Sequence, residues 1–291
     1  MAKRTSIPVS LARIRTRDGF FLDGIASEPK RKSGTALIVV PGLGSVFYSG
    51  QTLIGELAEA LNRHGIGYFK FNTRGHDYAA RGNGRKRGGA AFERFRDCVH
   101  DIRAMVAFAR KRGYRDIVLA GHSTGANKIL YYAGKTHDRR LGGVMLLGPI
   151  SDIAAMAKDI GWRALQRRVR IAERIARRDP DAFVPLAWGM WSASRYISLH
   201  RPGEAEDTFP YYRANARWST LREIRDPLAV VIGGSDEHLD RPVRELMDAF
   251  RRNATAASSY TGIIIPRAGH GFQKHEHELA QAIVRWIQKR K

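Results

Sequence analysis

Four short runs in the chain, residues 36–40, 117–120, 142–147 and 228–232, are apolar with no alternation. A strand with one wet face alternates apolar and polar side chains, so a run that is apolar throughout must be covered on both faces. Helical patterns fill the intervals. Residues 52–63 place Leu53, Leu57, Ala60 and Leu61 on one face, and residues 93–112 do the same with Phe95, Val99, Ile102, Val106 and Ala109. Further helices are expected over 242–252 and 276–288, and further strands over 67–71 and 262–265, the latter read as buried. Strands alternating with helices predict an α/β fold, a mostly parallel central sheet flanked by helices. The start differs: residues 11–17 alternate, and Asp18-Gly19 before 20–25 is a hairpin signal, so an antiparallel pair is expected there.

The length, 291 residues, suits one large α/β domain or two small ones, burying roughly 75% of the unfolded surface. A single cysteine, Cys98, excludes an intramolecular disulfide and a cysteine-based zinc cluster. The basic N-terminal residues 1–8 lead into Arg13, Arg15 and Arg17 where a signal peptide needs an apolar stretch, so the expectation is an uncleaved, cytoplasmic protein. No apolar run approaches the ~20 residues of a membrane-spanning helix. Lysine and arginine number 50 against 28 acids, a net charge of +22. That excess leaves three partner classes open beside a simply solvated surface: nucleic acid, anionic lipid and an anionic substrate.

Open parallel sheets bind ligands beyond the carboxyl ends of their strands, which makes the residues just after each run the candidates. After 117–120 comes Gly121-His122-Ser123-Thr124-Gly125, then a helical stretch from Ala126. The glycine spacing is that of a nucleophile elbow, a turn too sharp for bulk two residues either side of the serine. The start of the following helix offers unpaired N–H groups to a developing negative charge. A serine hydroxyl needs an imidazole to take its proton, and the imidazole needs a carboxylate to orient it. Asp236 follows 228–232 and His270 follows 262–265; the interval, 270 − 236 = 34 residues, is one helix and one strand. Glu237 and Asp240 compete for the acid's role, but Asp236 lies nearest the strand end. His275 and His277 sit among Glu276 and Glu278 as a charged helical face, and their spacing lacks further ligands, so neither metal nor cofactor is expected. Residues 81–89, rich in glycine and arginine, are expected to be a mobile loop.

Pro41-Gly42-Leu43-Gly44-Ser45, the elbow, Gly234-Ser235-Asp236 and Gly269-His270-Gly271 together resemble the α/β-hydrolase superfamily over nearly the whole chain. The resemblance implies catalytic Ser123, Asp236 and His270, with the amides of Leu43 and Thr124 as the oxyanion hole. Pro41 stands where many members have histidine, and Asn72-Thr73-Arg74-Gly75 is similar to the D-x-R-G turn with Asn for Asp, its Arg74 read as structural. The elbow together with Pro149-Ile150-Ser151-Asp152 and Gly234-Ser235-Asp236-Glu237 is also loosely similar to fungal siderophore ester hydrolases. A serine nucleophile argues against dehalogenase and epoxide hydrolase chemistry. It leaves ester, thioester, amide and carbon–carbon hydrolysis open.

In that superfamily the segment between the sixth and seventh strands commonly forms a cap. The expected division is therefore a core of 1–150 and 219–291 with a helical cap insertion at 151–218. Within it, residues 163–178 carry seven arginines and one acid opposite a stripe of Leu165, Val169, Ala172, Ile175 and Ala176, a basic amphipathic helix. Trp162, Trp188, Trp191, Tyr211 and Tyr212 are the candidate substrate-binding aromatics, with ordinary cap packing as the alternative. Residues 209–218 interleave aromatics with arginine as single-strand nucleic-acid binders do. No nucleic-acid-binding fold accompanies them, so nucleic acid is the least favoured partner. The expectation is a serine hydrolase acting on a small-molecule acyl ester through an acyl-enzyme; anionic substrate, peripheral contact with an anionic membrane, and oligomeric state stay open. The rival is a non-catalytic polyanion- or membrane-binding protein on the same fold.

Overall fold

In the computed structural model, which describes residues 8–84 and 86–290, every side chain of strand β3 (Thr35–Val40) is buried, and successive residues enter different cores. Ala36, Ile38 and Val40 face one helical layer, while Leu37 and Val39 face the other. That is why the run does not alternate: its period of two is intact, but both faces are covered. The sheet order is β1 (Ser10–Arg15), β2 (Phe21–Ser27), β4 (Gly67–Phe71), β3, β7 (Asp116–His122), β8 (Leu141–Leu147), β9 (Leu228–Gly233) and β10 (Tyr260–Ile265). β1 and β2 pair antiparallel, β2 meets β4 antiparallel, and the remaining neighbours are parallel.

Helices α1 (Gln51–Arg63) and α9 (Glu276–Lys289) cover one face through Leu57, Leu61, Leu279, Ile283 and Ile287. Helices α2 (Cys98–Lys111), α3 (Thr124–Thr136) and α8 (Val243–Asn253) cover the other, led by Ile102, Val106, Ile129, Leu246 and Phe250. Among the described residues no helix is long and apolar enough to cross a membrane.

Two expectations need correction. Residues 81–89 are not simply a loop: β5 (Ala80–Asn83) and β6 (Lys86–Gly88) form a small antiparallel hairpin, steadied where Asn83 donates to the Asp18 carbonyl and Lys86 pairs with Asp18. β10, expected to be a buried strand, is a sheet edge with only β9 beside it, so several of its side chains are half exposed. The basic residues 1–7 noted in the sequence, and Arg85, lie outside the described residues.

Between β8 and β9 the chain forms α4 (Asp152–Ile160), α5 (Trp162–Ala176), α6 (Ala193–His200) and the short α7 (Ser219–Arg222). Ile153, Ala157, Leu165, Val169, Ala172 and Tyr196 make a separate small core, whereas Phe209, Tyr211 and Trp218 pack into the larger one. A buried ionic junction ties this segment to the sheet. Lys128 of α3 pairs with Glu93 at 2.7 Å, Glu93 faces Arg195 of α6 at 3.4 Å, and Arg195 chelates Glu206 with both terminal nitrogens.

A second buried ionic cluster fixes the turn after β4. Arg74 bonds Asp101 at 2.8 and 3.0 Å, Asp18 at 2.9 and 3.1 Å and Asp97 at 3.2 Å, with the Phe20 ring 4.5 Å from its guanidinium carbon. Removing one member of a buried ionic cluster leaves its partners uncompensated. Arg74→Met is expected to lower unfolding free energy by about 3–5 kcal/mol in a urea titration; a change below about 1 kcal/mol would contradict this role.

Candidate active site

At the end of β7 the backbone of Ser123 stands at φ 55°, ψ −127°, a conformation few side chains accept. The flanking glycines make it possible. A Cβ on Gly121 would come within 2.2 Å of the Gly125 carbonyl oxygen, and one on Gly125 within 2.2 Å of the Val40 carbonyl oxygen. The elbow is thus pressed against the end of β3. Gly42, just beyond that end, lies close enough that a Cβ there would touch the Ser123 Cβ at 3.0 Å. The 42–45 turn therefore runs directly beside the serine.

Two side chains, Lys70 of β4 and Asn72 just beyond it, brace the loop after β3. The Asn72 carboxamide oxygen accepts from the Phe47 amide at 2.6 Å, and Lys70 donates to the Ser49 carbonyl at 2.6 Å. Burial pushes the Lys70 ammonium down to about 8. An asparagine serves at 72 because its task is to accept one amide proton. Among the described residues no acceptor engages the amide of Leu43 or of Thr124. Thr124 opens α3, so its N–H is one of the helix's unpaired donors.

Asp236 and His270 meet as their spacing predicts. His270 Nδ1–H donates to Asp236 Oδ2 at 2.8 Å, with the Asp236 carboxylate shielded from solvent and accepting at Oδ1 from the His238 amide at 3.0 Å. Burial works to raise the Asp236 pKa, but the hydrogen bond and charge of His270, with the His238 amide, hold it below the ordinary carboxylate range. The base loop is gripped from both sides. Glu237 accepts from the His270 amide at 2.9 Å, and His122 Nε2–H donates to the His270 carbonyl at 2.9 Å. The Ser123 amide donates to Leu147, and at the next residue, Gly148, a Cβ would lie 3.2 Å from the His270 ring. Elbow, β8 end and base loop thus converge on one spot. His238 adds an edge-on ring contact to His270 with centroids 4.7 Å apart.

The candidate aromatics do not converge in the same way. Tyr211 is in the main core, its hydroxyl accepting from the Ser151 amide at 2.8 Å. Trp162 and Tyr212 stack on each other at 5.4 Å, and the Tyr212 hydroxyl donates to Asp207. Trp188 lies between Tyr196 and the Arg168 guanidinium, and Trp191 approaches Tyr78 at 6.1 Å. Sequence reasoning missed the grip on His270: Glu237 was weighed only as a rival acid, and nothing in the pentapeptide marks His122 as a donor to a loop 148 residues away. One further acid, Asp152 at the start of α4, is pushed up to about 7 by burial and by Glu206.

A family model described as "Protein of unknown function (DUF1749)" matches residues 3–289. No curated protein matches the sequence. Among solved structures, Est1E from Butyrivibrio proteoclasticus superposes with a TM-score of 0.64 at 18% identity, over 96% of this chain and 98% of that one. An esterase of Pyrococcus furiosus gives 0.63 at 16%, over 98% and 92%. A soluble variant of the monoglyceride lipase of Saccharomyces cerevisiae, bound to a substrate analogue, gives 0.64 at 16%, over 99% and 97%. The fold is the α/β-hydrolase fold.

His122 supplies a test of the base-loop contact. Burial, then the neighbouring charge of His270, pushes its imidazole from 6.5 down to about 4, so the folded protein keeps it neutral where the unfolded chain takes a proton. Between those values the unfolded state binds more protons, so stability falls as pH falls, by on the order of 3 kcal/mol for this residue. His122→Gln can still donate to the His270 carbonyl but cannot titrate. Its unfolding free energy is expected to decline less between pH 6.5 and 4 than that of wild type; parallel curves would contradict the assignment.

Proposed function

The chain belongs to the DUF1749 family, and we propose that this member is a serine hydrolase cleaving a carboxylic ester through an acyl-enzyme. The observation that carries the proposal is the bond from His270 Nδ1 to a buried Asp236, at the strand ends that also hold the Ser123 elbow. With Nδ1–H committed to Asp236, the other ring nitrogen, Nε2, is the one available as a base. Ser123 Oγ adds to the acyl carbon as Nε2 takes its proton. The tetrahedral oxygen is received by the amides of Leu43 and Thr124, and the alcohol leaves with the proton returned by His270. Water then repeats the sequence on the acyl-enzyme. Asp236 keeps its charge throughout and stabilises the imidazolium.

The choice of an ester among acyl bonds is supported by the neighbours, one named as an esterase and one as a monoglyceride lipase. Residues 151–218 are proposed as the cap that sets substrate choice, an assignment supported by their separate small core over the segment that follows β8. Trp191 is the aromatic best placed to meet substrate, because it neighbours the loop carrying Tyr78, next to the turn bridged to Gly44.

Initial rates with a short-chain nitrophenyl ester test the roles one by one. Ser123→Ala and Asp236→Asn are each expected to lower kcat on the order of 10⁴-fold or more. Glu237→Gln keeps an acceptor for the His270 amide and is expected to stay within about tenfold of wild type, since it positions the loop without touching the proton path. Ser123→Ala at wild-type rate, or Glu237→Gln as damaging as Asp236→Asn, would refute the assignment.

A further inference from the structure

Large apolar side chains collect in the open around the strand ends that hold Ser123. Tyr48, on the loop after β3, is 56% exposed, and Tyr78, on the loop after β4, is 56% exposed. In the α5–α6 connection Phe183, Leu186 and Met190 are 46%, 71% and 48% exposed. These loops touch one another. Gly44 bridges His76 and accepts from the Asp77 amide at 2.9 Å, Tyr78 meets Trp191 at 6.1 Å, and Phe183 packs on Phe92 at 5.4 Å. The connection is held in shape where Val184 donates to the Trp191 carbonyl and Ser192 to the Ala91 carbonyl, so Leu186 and Met190 project from a pinned turn. Solvent-exposed apolar groups of this size, gathered on one side, mark a surface that meets something less polar than water.

Charge narrows the occupant. Arg87 packs over Phe92 at 5.0 Å and Arg168 over Trp188 at 5.1 Å, while Arg81 and Lys86 of the hairpin and Arg177 and Arg178 after α5 are exposed beside the same loops. Of the nearby acids Asp181 is taken by Arg94, Asp77 by His76, Asp97 by Arg74, and Asp18 by Arg74 and Lys86, leaving Asp179. An apolar centre with a basic rim is the pattern of a surface helix or loop that sits in the headgroup region of anionic lipid. We propose that the loops bearing Tyr48, Tyr78 and residues 183–191 dock the protein on an anionic lipid–water interface, with the mouth of the Ser123 site facing the lipid. The acyl ester would then be drawn from the lipid phase. That choice of substrate rests on the serine-hydrolase reading, whereas the docking surface does not.

Sedimentation with vesicles of phosphatidylcholine, alone or mixed with phosphatidylglycerol, separates the two claims. Wild type and Ser123→Ala are expected to bind the mixed vesicles equally well, at least roughly tenfold more tightly than the zwitterionic ones, and less tightly as salt is raised. Leu186→Glu/Met190→Glu alters only exposed side chains and should melt like wild type yet lose roughly tenfold or more of the binding. Arg177→Ser/Arg178→Ser should lose roughly tenfold. Equal binding to both vesicle types, or wild-type binding by the Leu186→Glu/Met190→Glu protein, overturns the docking surface. Ser123→Ala binding like wild type upholds it whether or not the wild type hydrolyses esters.

Discussion

A serine backbone held at φ 55°, ψ −127° is the constraint on which the rest of the site depends. Such a conformation costs on the order of 1–3 kcal/mol and persists only where its surroundings leave no alternative. Here the surroundings are the sheet itself: Gly125 against the end of β3, the Ser123 amide on the end of β8, and Gly42 against the serine from the following loop. Each contact needs a strand end in register with its neighbours. The parallel pairing of β3, β7 and β8, fixed by apolar side chains on both faces, therefore positions the hydroxyl.

Around that turn the protein places partners that hold loops still. Asn72 and Lys70 fasten the loop after β3, Glu237 and His122 grip the main chain of His270, and Gly148 makes room for its ring. Rigid placement of this kind is what preorganised chemistry requires, because a donor misplaced by an ångström loses most of its effect. The ionic junction of Glu93, Lys128, Arg195 and Glu206 extends the same logic outward, joining the elbow helix to the helices between β8 and β9. Buried ion pairs add little net stability, since desolvation offsets their attraction. Their consequence here is geometric: α6 is tied to the helix that starts beside Ser123.

Much of this was legible in the residues. Non-alternating apolar runs gave the sheet, and Asp18-Gly19 the hairpin between β1 and β2, because both signals are local. The meeting of Asp236 and His270 near the Ser123 turn was legible because a parallel sheet brings its strand ends to one edge. What stayed hidden depends on contacts between distant segments. Nothing in residues 81–89 announces a hairpin, since the side chain of Asp18 that steadies it lies more than sixty residues earlier. The edge position of β10 follows from strand order, which its isoleucines do not encode. The aromatics of 162–212 read in the sequence either as substrate-binding groups or as ordinary packing, and only the structure puts Tyr211 in the main core, beside Trp218 and on the Ser151 amide. Glu237 looked like a spare acid because a hydrogen bond to a main-chain amide leaves no mark in composition.

Covalent capture reads the central claim most directly. An alkyl fluorophosphonate reacts with a serine only where a base activates it and an oxyanion hole receives the charge. Intact-mass analysis of the protein after brief exposure should show one adduct, mapped by peptide sequencing to Ser123 and absent from the Asp236→Asn protein over the same interval. A protein that stays unlabelled, or carries the adduct on a different serine, would contradict Ser123 as the nucleophile.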